Sequence, residues 1–467
     1  MEELQVIGII VSLILLIFIA YRGYSVIFFA PVFALMAASA QGLPIMPTYT
    51  ELFMVKAVTY VKNFFPVFML GAVFGKIMEE SGMAKSIAHA IILKLGPKHA
   101  VMATVLAASI LTYGGVSMFV VVFAVYPFAA ALYKEADIPK KLVPAAIFLG
   151  AFTFTMDSLP GSPQIQNIIP SNFLGTNAYS GPILGIFVAI IMFGTGMMWL
   201  IYRVNKSRAN GEGYGNHTIN EPEIKDVKLP SWQISLVPLI VVLVVNYIGN
   251  KIVVWDPSVL APIAAMKLPL MAPGIKNVIA TWSLIIAVVC GITIAAAVGY
   301  RGMPKGLLGK AVNVGAIGSL LAIMNVASEV GYGNVIAALP GFKTIANAVI
   351  GMSFGDSPLT SMAVTINILC GITGSASGGV SIALDLFGKH WLEWAAAVNM
   401  SPDILHRVAA IASGGLDTGP HNGAIITLLA VCGMTHRQSY PDIFAITILK
   451  VAMVGIALAF VAIFGIA

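Results

Sequence analysis

Residues 182–202 read PILGIFVAIIMFGTGMMWLIY, an apolar run without a charged side chain. A helix of about 20 apolar residues is long enough to cross the hydrocarbon core of a bilayer. Comparable runs recur along the chain, at Leu4–Tyr21, Tyr24–Ala40, Phe64–Met78, Ala100–Leu111, Val116–Leu132, Leu142–Met156, Ser235–Gly249, Val278–Tyr300 and Ile443–Ile466. The sequence therefore predicts an all-α, polytopic membrane protein with no room for a soluble domain.

The composition agrees with a lipid environment. Of the 467 residues, 58% are hydrophobic and 10% are charged, and the mean hydropathy is +0.92. The net charge of +6 does not indicate nucleic-acid binding, because the basic residues flank the apolar runs. Such residues orient membrane helices with their basic loops in the cytoplasm. We expect a multi-pass protein of the bacterial inner membrane whose first helix is retained, since Glu2 and Glu3 stand where a signal peptide would be basic.

The sequence lacks the common signatures of ATP hydrolysis and metal binding. It contains no P-loop, no His-x-x-x-His pair and no Cys-x-x-Cys pair. Cys290, Cys370 and Cys432 lie singly within apolar stretches, as expected of small packing residues. We therefore expect no cofactor, no metal centre and no enzymatic activity, and an ion gradient as the driving force.

Three short motifs occur twice, in the same order. Residues 78–82 (MEESG) are echoed by residues 327–331 (ASEVG), residues 114–117 (GGVS) by 378–381, and residues 157–160 (DSLP) by 417–420 (DTGP). The most polar stretch lies between the two sets, which predicts a first membrane repeat at 1–203, a flexible cytoplasmic linker at 204–230 and a second repeat at 231–467. An odd number of crossings in the first repeat makes the two repeats inverted in topology.

Two zones in each repeat combine glycine with hydroxyl groups at membrane depth. The first zone, Thr112–Ser117 and Thr373–Ser381, is predicted to form the tips of re-entrant helical hairpins. A helix that begins at such a tip presents free N–H groups that favour a carboxylate. Close packing of small residues between helices is the alternative explanation. The candidate substrate-binding residues here are Thr112, Gly114, Gly115, Ser117, Thr373, Ser375, Ser377 and Gly378.

The second zone contains an aspartate followed by helix breakers. Asp157 and Asp417 are the candidate ion-coupling residues, because a carboxylate inside a membrane is costly unless it has a function. A helix cap is the alternative for each. His421 lies in the repeated motif and suits a proton carrier, although an ordinary hydrogen-bonded histidine is the favoured explanation. The remaining candidates for the substrate or the ion are Ser158, Ser162, Gln164, Asn167, Thr418 and Asn422.

Residues 70–88 and 95–99 resemble the gluconate permease family of the ion-transporter superfamily, and the similarity extends along nearly the whole chain. The resemblance implies a secondary transporter with a scaffold domain and a mobile transport domain, an elevator-like movement and a homodimer. Sugar-acid members of that family carry a His- and Pro-rich stretch at the position of 157–163, which this chain lacks. The variant therefore looks more like the branch for β-hydroxybutyrate and related short-chain acids.

We expect a proton- or sodium-coupled symporter of a small organic anion. A short hydroxy monocarboxylate is the first choice of substrate, a sugar acid such as gluconate the second, and a dicarboxylate or citrate the third. The candidate site residues include no arginine, which disfavours a multiply charged substrate. The alternative from another class is an organic-anion channel, in which the same helix ends would form a filter.

Overall fold

The computed structural model describes residues 2–22, 24–221, 229–266, 274–300, 303–342, 344, 357–420 and 422–467, and these residues include no β-strand. The helices of the first part are α1 Glu2–Tyr21, α2 Val26–Ala40, α3 Ile45–Glu80, α4 Met83–Leu95, α5 Pro97–Tyr113, α6 Met118–Glu135, α7 Val143–Ala151, α8 Phe154–Asp157, α9 Ile165–Leu174 and α10 Pro182–Ala209. Those of the second part are α11 Trp232–Ile252, α12 Ala261–Ala265, α13 Ile279–Gly299, α14 Leu307–Ala338, α15 Leu359–Thr373, α16 Ala376–Ala397, α17 Pro402–Ser413, α18 Gly423–Val431 and α19 His436–Phe464.

Six of these helices are long and apolar enough to cross a bilayer, and α4 with α5, bent by 103°, would supply a seventh if the pair is one span. The prediction of a helical, multi-pass membrane protein is confirmed. Three details differ from the sequence prediction. Residues 142–156, predicted as one span, are divided between the nine-residue helix α7 and the four-residue helix α8. Residues 64–78 belong to the much longer helix α3, which opens with a π-helical turn at Thr48–Phe53. Helix α14 was not predicted as a span, because Lys310, Asn325 and Glu329 interrupt its apolar pattern.

The order of helices after α3 recurs after α14. In the first part, the α5–α6 hairpin is followed by a helix interrupted between α7 and α9 and then by the long helix α10. In the second part, the α15–α16 hairpin is followed by an interruption between α17 and α18 and then by the long helix α19. The three repeated sequence motifs thus lie in elements of similar order, although Glu80 ends α3 whereas Glu329 lies well inside α14.

Close helix contacts at glycine bring these elements together. Helix α14 packs along α3, and a Cβ on Gly315 would lie 2.7 Å from the Val73 Cα. Helix α7 packs on α5 in the same way, since a Cβ on Gly150 would lie 2.4 Å from the Val105 carbonyl oxygen. Backbone approaches of this kind require small residues at the contact.

Substitution of Gly150 by alanine is expected to lower stability by about 1–3 kcal/mol, because the new methyl group meets backbone that cannot move aside. Gly194 in α10 is the matched control, since a Cβ there meets nothing within 4 Å. Gly194→Ala should be neutral or slightly stabilising, because alanine favours the helix. Thermal unfolding of both variants in detergent tests this, and equal melting temperatures would contradict the packing explanation.

The described part of the predicted linker is held against the first part of the chain. Helix α10 continues past residue 203 to Ala209, and the Glu221 carboxylate lies 2.7 Å from the buried Lys140 ammonium. The Tyr214 N–H donates to Asp137 Oδ1, and the Lys141 ammonium and the Ser207 hydroxyl lower the pKa of Glu212 below its ordinary value. The stretch up to residue 221 is therefore tied by ion pairs, and residues 222–228 lie outside the described residues.

Candidate functional site

Each hairpin turns at a glycine in the left-handed region. The first turn spans residues 114–117, with Gly115 at φ +92°, and the second centres on Gly374 at φ +63°. The second turn is shorter than predicted, since residues 376–381 already belong to α16. The two helix starts differ: Ser375 caps α16 by accepting a hydrogen bond from the Gly378 N–H, whereas Ser117 makes no side-chain cap for α6. The first N–H groups of α6 therefore lack that internal acceptor.

We call residues 152–164, between α7 and α9, the first loop, and residues 414–422, between α17 and α18, the second loop. Side-chain hydrogen bonds connect each hairpin tip to the loop of its own part. In the first part, Gln164 Nε2 donates to the Thr112 carbonyl at 2.8 Å, and the Tyr113 hydroxyl donates to the Pro160 carbonyl at 2.9 Å. In the second part, Asn422 Nδ2 donates to the Gly374 carbonyl at 2.8 Å. The predicted tip and the predicted unwound stretch are thus neighbours in both parts, as a shared site requires.

The two loops meet around a buried lysine. Lys450 of α19 places its ammonium 2.9 Å from Asp417 Oδ1 and 2.9 Å from the Phe152 carbonyl oxygen. Gly414 packs between the loops, since a Cβ there would lie 1.8 Å from Asp157 Oδ2 and 3.1 Å from Lys450 Cε. Asp157 accepts a 2.7 Å hydrogen bond from the Ser158 hydroxyl. We call Asp157, Asp417 and Lys450 the charge cluster. It contains two carboxylates and one ammonium group, all buried.

A second buried cation, Arg407 of α17, lies beside this cluster. Its guanidinium donates to the carbonyls of Ser158 and Ser180 and to Asn167 Oδ1, at 2.6–3.1 Å. A longer bond of 3.4 Å reaches the Ala178 carbonyl. All five donors of an arginine are used in this way. Arg407 therefore pins the first loop to α17 and has no free N–H pair for a ligand.

Most of the predicted site residues are engaged in internal hydrogen bonds. Asn167 bonds the Ser162 and Ala178 carbonyls, the Ser162 hydroxyl donates to the Thr155 carbonyl, and Thr418 pairs with Thr447 at 2.6 Å. Asn422 caps α18 by accepting from the N–H groups of residues 424 and 425. Thr112 is different, because its hydroxyl is fully buried without a hydrogen-bond partner. His421 lies outside the described residues.

Sequence reasoning missed four functional candidates: Lys450, Arg407, His406 and Glu329. The expectation of a site without arginine was wrong, since Arg407 touches two of its residues. A lysine inside the long apolar run of α19 was the available signal, because charges within membrane helices are rare unless they have a role. His406 is fully buried and bonds Thr176 and Asn167.

Comparison with known proteins identifies the class. Residues 4–290 match the family model of the GntP family permease. The chain is 46% identical over 462 residues to the uncharacterized transporter YxjC of Bacillus subtilis, covering 97% of each chain. It is 28% identical over 204 residues to an uncharacterized transporter of Haemophilus influenzae, covering 42% of this chain and 45% of that protein.

Among solved structures, the fold is similar to that of the YdaH transporter of Alcanivorax borkumensis, with a TM-score of 0.52 at 15% identity over 88% of each chain. At that identity the likeness concerns the fold alone. Together with the apolar helices, these findings support a secondary transporter. The chain belongs to the GntP permease family and is a multi-pass membrane transporter.

Proposed function

We propose that the protein is a symporter that carries a small organic anion across the bacterial inner membrane, driven by a proton gradient or, as the alternative, a sodium gradient. The observation that carries this proposal is the convergence of both interrupted helices on the charge cluster of Asp157, Asp417 and Lys450. Helix breaks with ionisable groups at membrane depth are typical of substrate and ion sites in carriers. The Bacillus relative, named a transporter, agrees with this class.

A short hydroxy monocarboxylate such as β-hydroxybutyrate, or a short-chain fatty acid, is the proposed substrate. The uncapped start of α6 and the unpartnered Thr112 hydroxyl are hydrogen-bond donors for one carboxylate. Arg407 is fully engaged with protein acceptors, so it offers no bidentate contact for a second carboxylate. The family match makes gluconate or another sugar acid the second candidate.

The transport cycle is proposed to use two inverted repeats, with an elevator-like movement of a transport domain against a scaffold in a homodimer. The recurring order of hairpin, interrupted helix and long helix supports the repeat. In this arrangement the charge cluster joins the two repeats, because its carboxylates come from the first and second loops. Asp157, Asp417 and His421 are the proposed ion-coupling residues.

Uptake into proteoliposomes tests the class and the substrate together. Labelled β-hydroxybutyrate should accumulate under one imposed gradient, of protons or of sodium, and unlabelled butyrate and lactate should compete better than gluconate or citrate. Stronger competition by gluconate would support the sugar-acid alternative. Counterflow without gradient-driven accumulation of any of these acids would favour an organic-anion channel or another substrate.

The role of the first aspartate is tested by Asp157→Asn. We expect at least a tenfold loss of gradient-driven accumulation with normal amounts of folded protein, because an amide keeps the size of the side chain and its hydrogen bond from Ser158 but loses the charge. Asp403→Asn in α17 is the control, since that side chain is exposed. Accumulation by Asp157→Asn equal to that of the control would remove Asp157 from the coupling mechanism.

A further inference from the structure

Glu329 is a buried carboxylate that lies outside the charge cluster. It is 5% exposed, and its Oε2 has no hydrogen-bond partner. A Cβ on Gly378 would lie 2.2 Å from this oxygen, so the carboxylate faces the first turn of α16. The matched residue Glu80 lies at the end of α3. Glu80 pairs with Lys76 at 3.0 Å and is partly exposed, whereas Glu329 is enclosed.

Hydroxyl groups from α3 and from the start of α16 lie near Glu329. Ser375 is next to the carboxylate, and its Oγ would lie 3.2 Å from the same Gly378 Cβ. The Tyr60 hydroxyl of α3 faces Ser377 and Ser381 of α16. The hydroxyls of Tyr60 and Ser381 are buried, and neither has a hydrogen-bond partner. Three buried polar groups thus lie beside polar neighbours without a hydrogen bond of good geometry, which is uncommon unless a ligand or proton completes the network.

Among the residues that the structure describes, the titratable groups that interact electrostatically with Glu329 are Tyr60 from α3 and the Cys370 thiol from α15, and neither is a cation. Helix α2, which also packs on α14, has no titratable residue, and the π-helical turn at Thr48–Phe53 contributes only Tyr49 and Glu51. An ionised Glu329 would thus stand uncompensated at low dielectric, apart from the dipole of α16.

A polar route leads from this group toward the surface. Lys56 of α3 and Asp385 of α16 form an ion pair of 3.2 Å, and their side chains are 38% and 28% exposed. Lys56 lies one helical turn before Tyr60 in α3, and Asp385 lies one helical turn after Ser381 in α16. Hydroxyl groups of Tyr60 and Ser381 thus lie between Glu329 and a partly exposed ion pair along α3 and α16.

We propose that Glu329 binds a coupling proton and that this proton licenses contact of the substrate anion with the second hairpin tip, at the start of α16, in addition to its contact with the start of α6. The proposal rests on the proposed function and deepens it. A carboxylate ligand near Ser375 and Gly378 would meet the negative charge of an ionised Glu329 a few ångströms away. Transfer of one proton from water to Glu329 removes that charge and leaves a neutral carboxyl group that can donate a hydrogen bond. Proton and anion then bind together.

The test compares Glu329→Gln, which imitates the protonated state, with the control Glu80→Gln in proteoliposomes. The probe is labelled β-hydroxybutyrate, or whichever of gluconate, lactate or citrate the wild type accumulates. We expect Glu329→Gln to keep substrate exchange at equilibrium but to carry one proton fewer per anion, measured with an internal pH dye. Each lost proton lowers the equilibrium accumulation tenfold per unit of imposed ΔpH. Glu80→Gln should behave like the wild type.

An unchanged proton-to-anion ratio in Glu329→Gln would overturn the proposal. Transport that is driven by sodium alone, and equally in the wild type and in Glu329→Gln, would overturn it as well. If the glutamine variant loses exchange as well, Glu329→Asp decides: recovery of exchange with an altered pH profile supports the proton site, and no recovery overturns it. A wild type that accumulates none of the acids under any gradient would instead refute the symporter itself.

Discussion

Replacement of Arg407 by leucine is expected to prevent the accumulation of folded protein in the membrane. The guanidinium is fully buried and supplies hydrogen bonds to the carbonyls of Ser158 and Ser180 and to Asn167. A buried acceptor that loses its donor costs about 1–3 kcal/mol, and several are lost at once. The sum is a large part of the 5–15 kcal/mol that stabilises a typical protein. Expression and thermal unfolding in detergent measure the effect.

The control for this prediction is Arg437→Leu at the start of α19, where the side chain is exposed and the substitution should be neutral. Arg407→Lys should be intermediate, because an ammonium keeps the charge but can make at most three hydrogen bonds. A melting temperature of Arg407→Leu equal to that of Arg437→Leu would show that the first loop does not depend on the arginine.

Replacement of Lys450 by methionine should destabilise the protein by about 3–5 kcal/mol, because it leaves Asp417 charged and buried without its partner. Asp417→Asn alone leaves the ammonium unpaired and should also be costly. The double variant should recover much of the stability, since neither charge remains. It should still fail to accumulate substrate, because the proposed coupling group is gone.

A double-mutant cycle in detergent measures the interaction between the two residues. The exposed pair Lys389–Glu393, at 3.8 Å with side chains 91% and 67% exposed, is the matched control. Surface pairs of this kind contribute about 0–1 kcal/mol. A coupling energy for Lys450 and Asp417 no larger than that of the surface pair would contradict a dependence of the charge cluster on this contact.

The helical membrane architecture could be predicted from the sequence because lipid requires long apolar helices, and uninterrupted apolar runs such as 182–202 are easily recognised. Helix α14 was not recognised because polar residues interrupt its apolar pattern, and several of them, unlike the exposed Lys310, are enclosed by protein. Asn334 donates to the Val330 carbonyl, and Ser319 and Glu329 are buried. Hydropathy along the chain cannot distinguish a polar side chain that faces another helix from one in a loop.

The positions of the two loops were predictable from the sequence, but the side-chain contacts between them were not. Helix breakers beside Asp157 and Asp417 indicated the loops, and the structure brings these loops together. The pairing of Asp417 with Lys450 joins residues 33 positions apart, and that of Arg407 with Asn167 joins residues 240 positions apart. Such pairs depend on how helices cross in space, which local sequence patterns do not encode.

The length of α3 has a consequence for the surrounding lipid. Its 36 residues extend about 54 Å, whereas the hydrocarbon layer is about 30 Å thick. Even a tilt of about 40°, the upper end of the usual range, leaves about 41 Å along the membrane normal. At least one end of the helix must therefore project into the headgroup region, and both ends are charged: Glu51 near the start is exposed, and Lys76, Glu79 and Glu80 near the end are partly exposed. The longest uncharged stretch of α3 is residues 63–75, between Lys62 and Lys76, and these two lysines should therefore lie in the headgroup region or against protein.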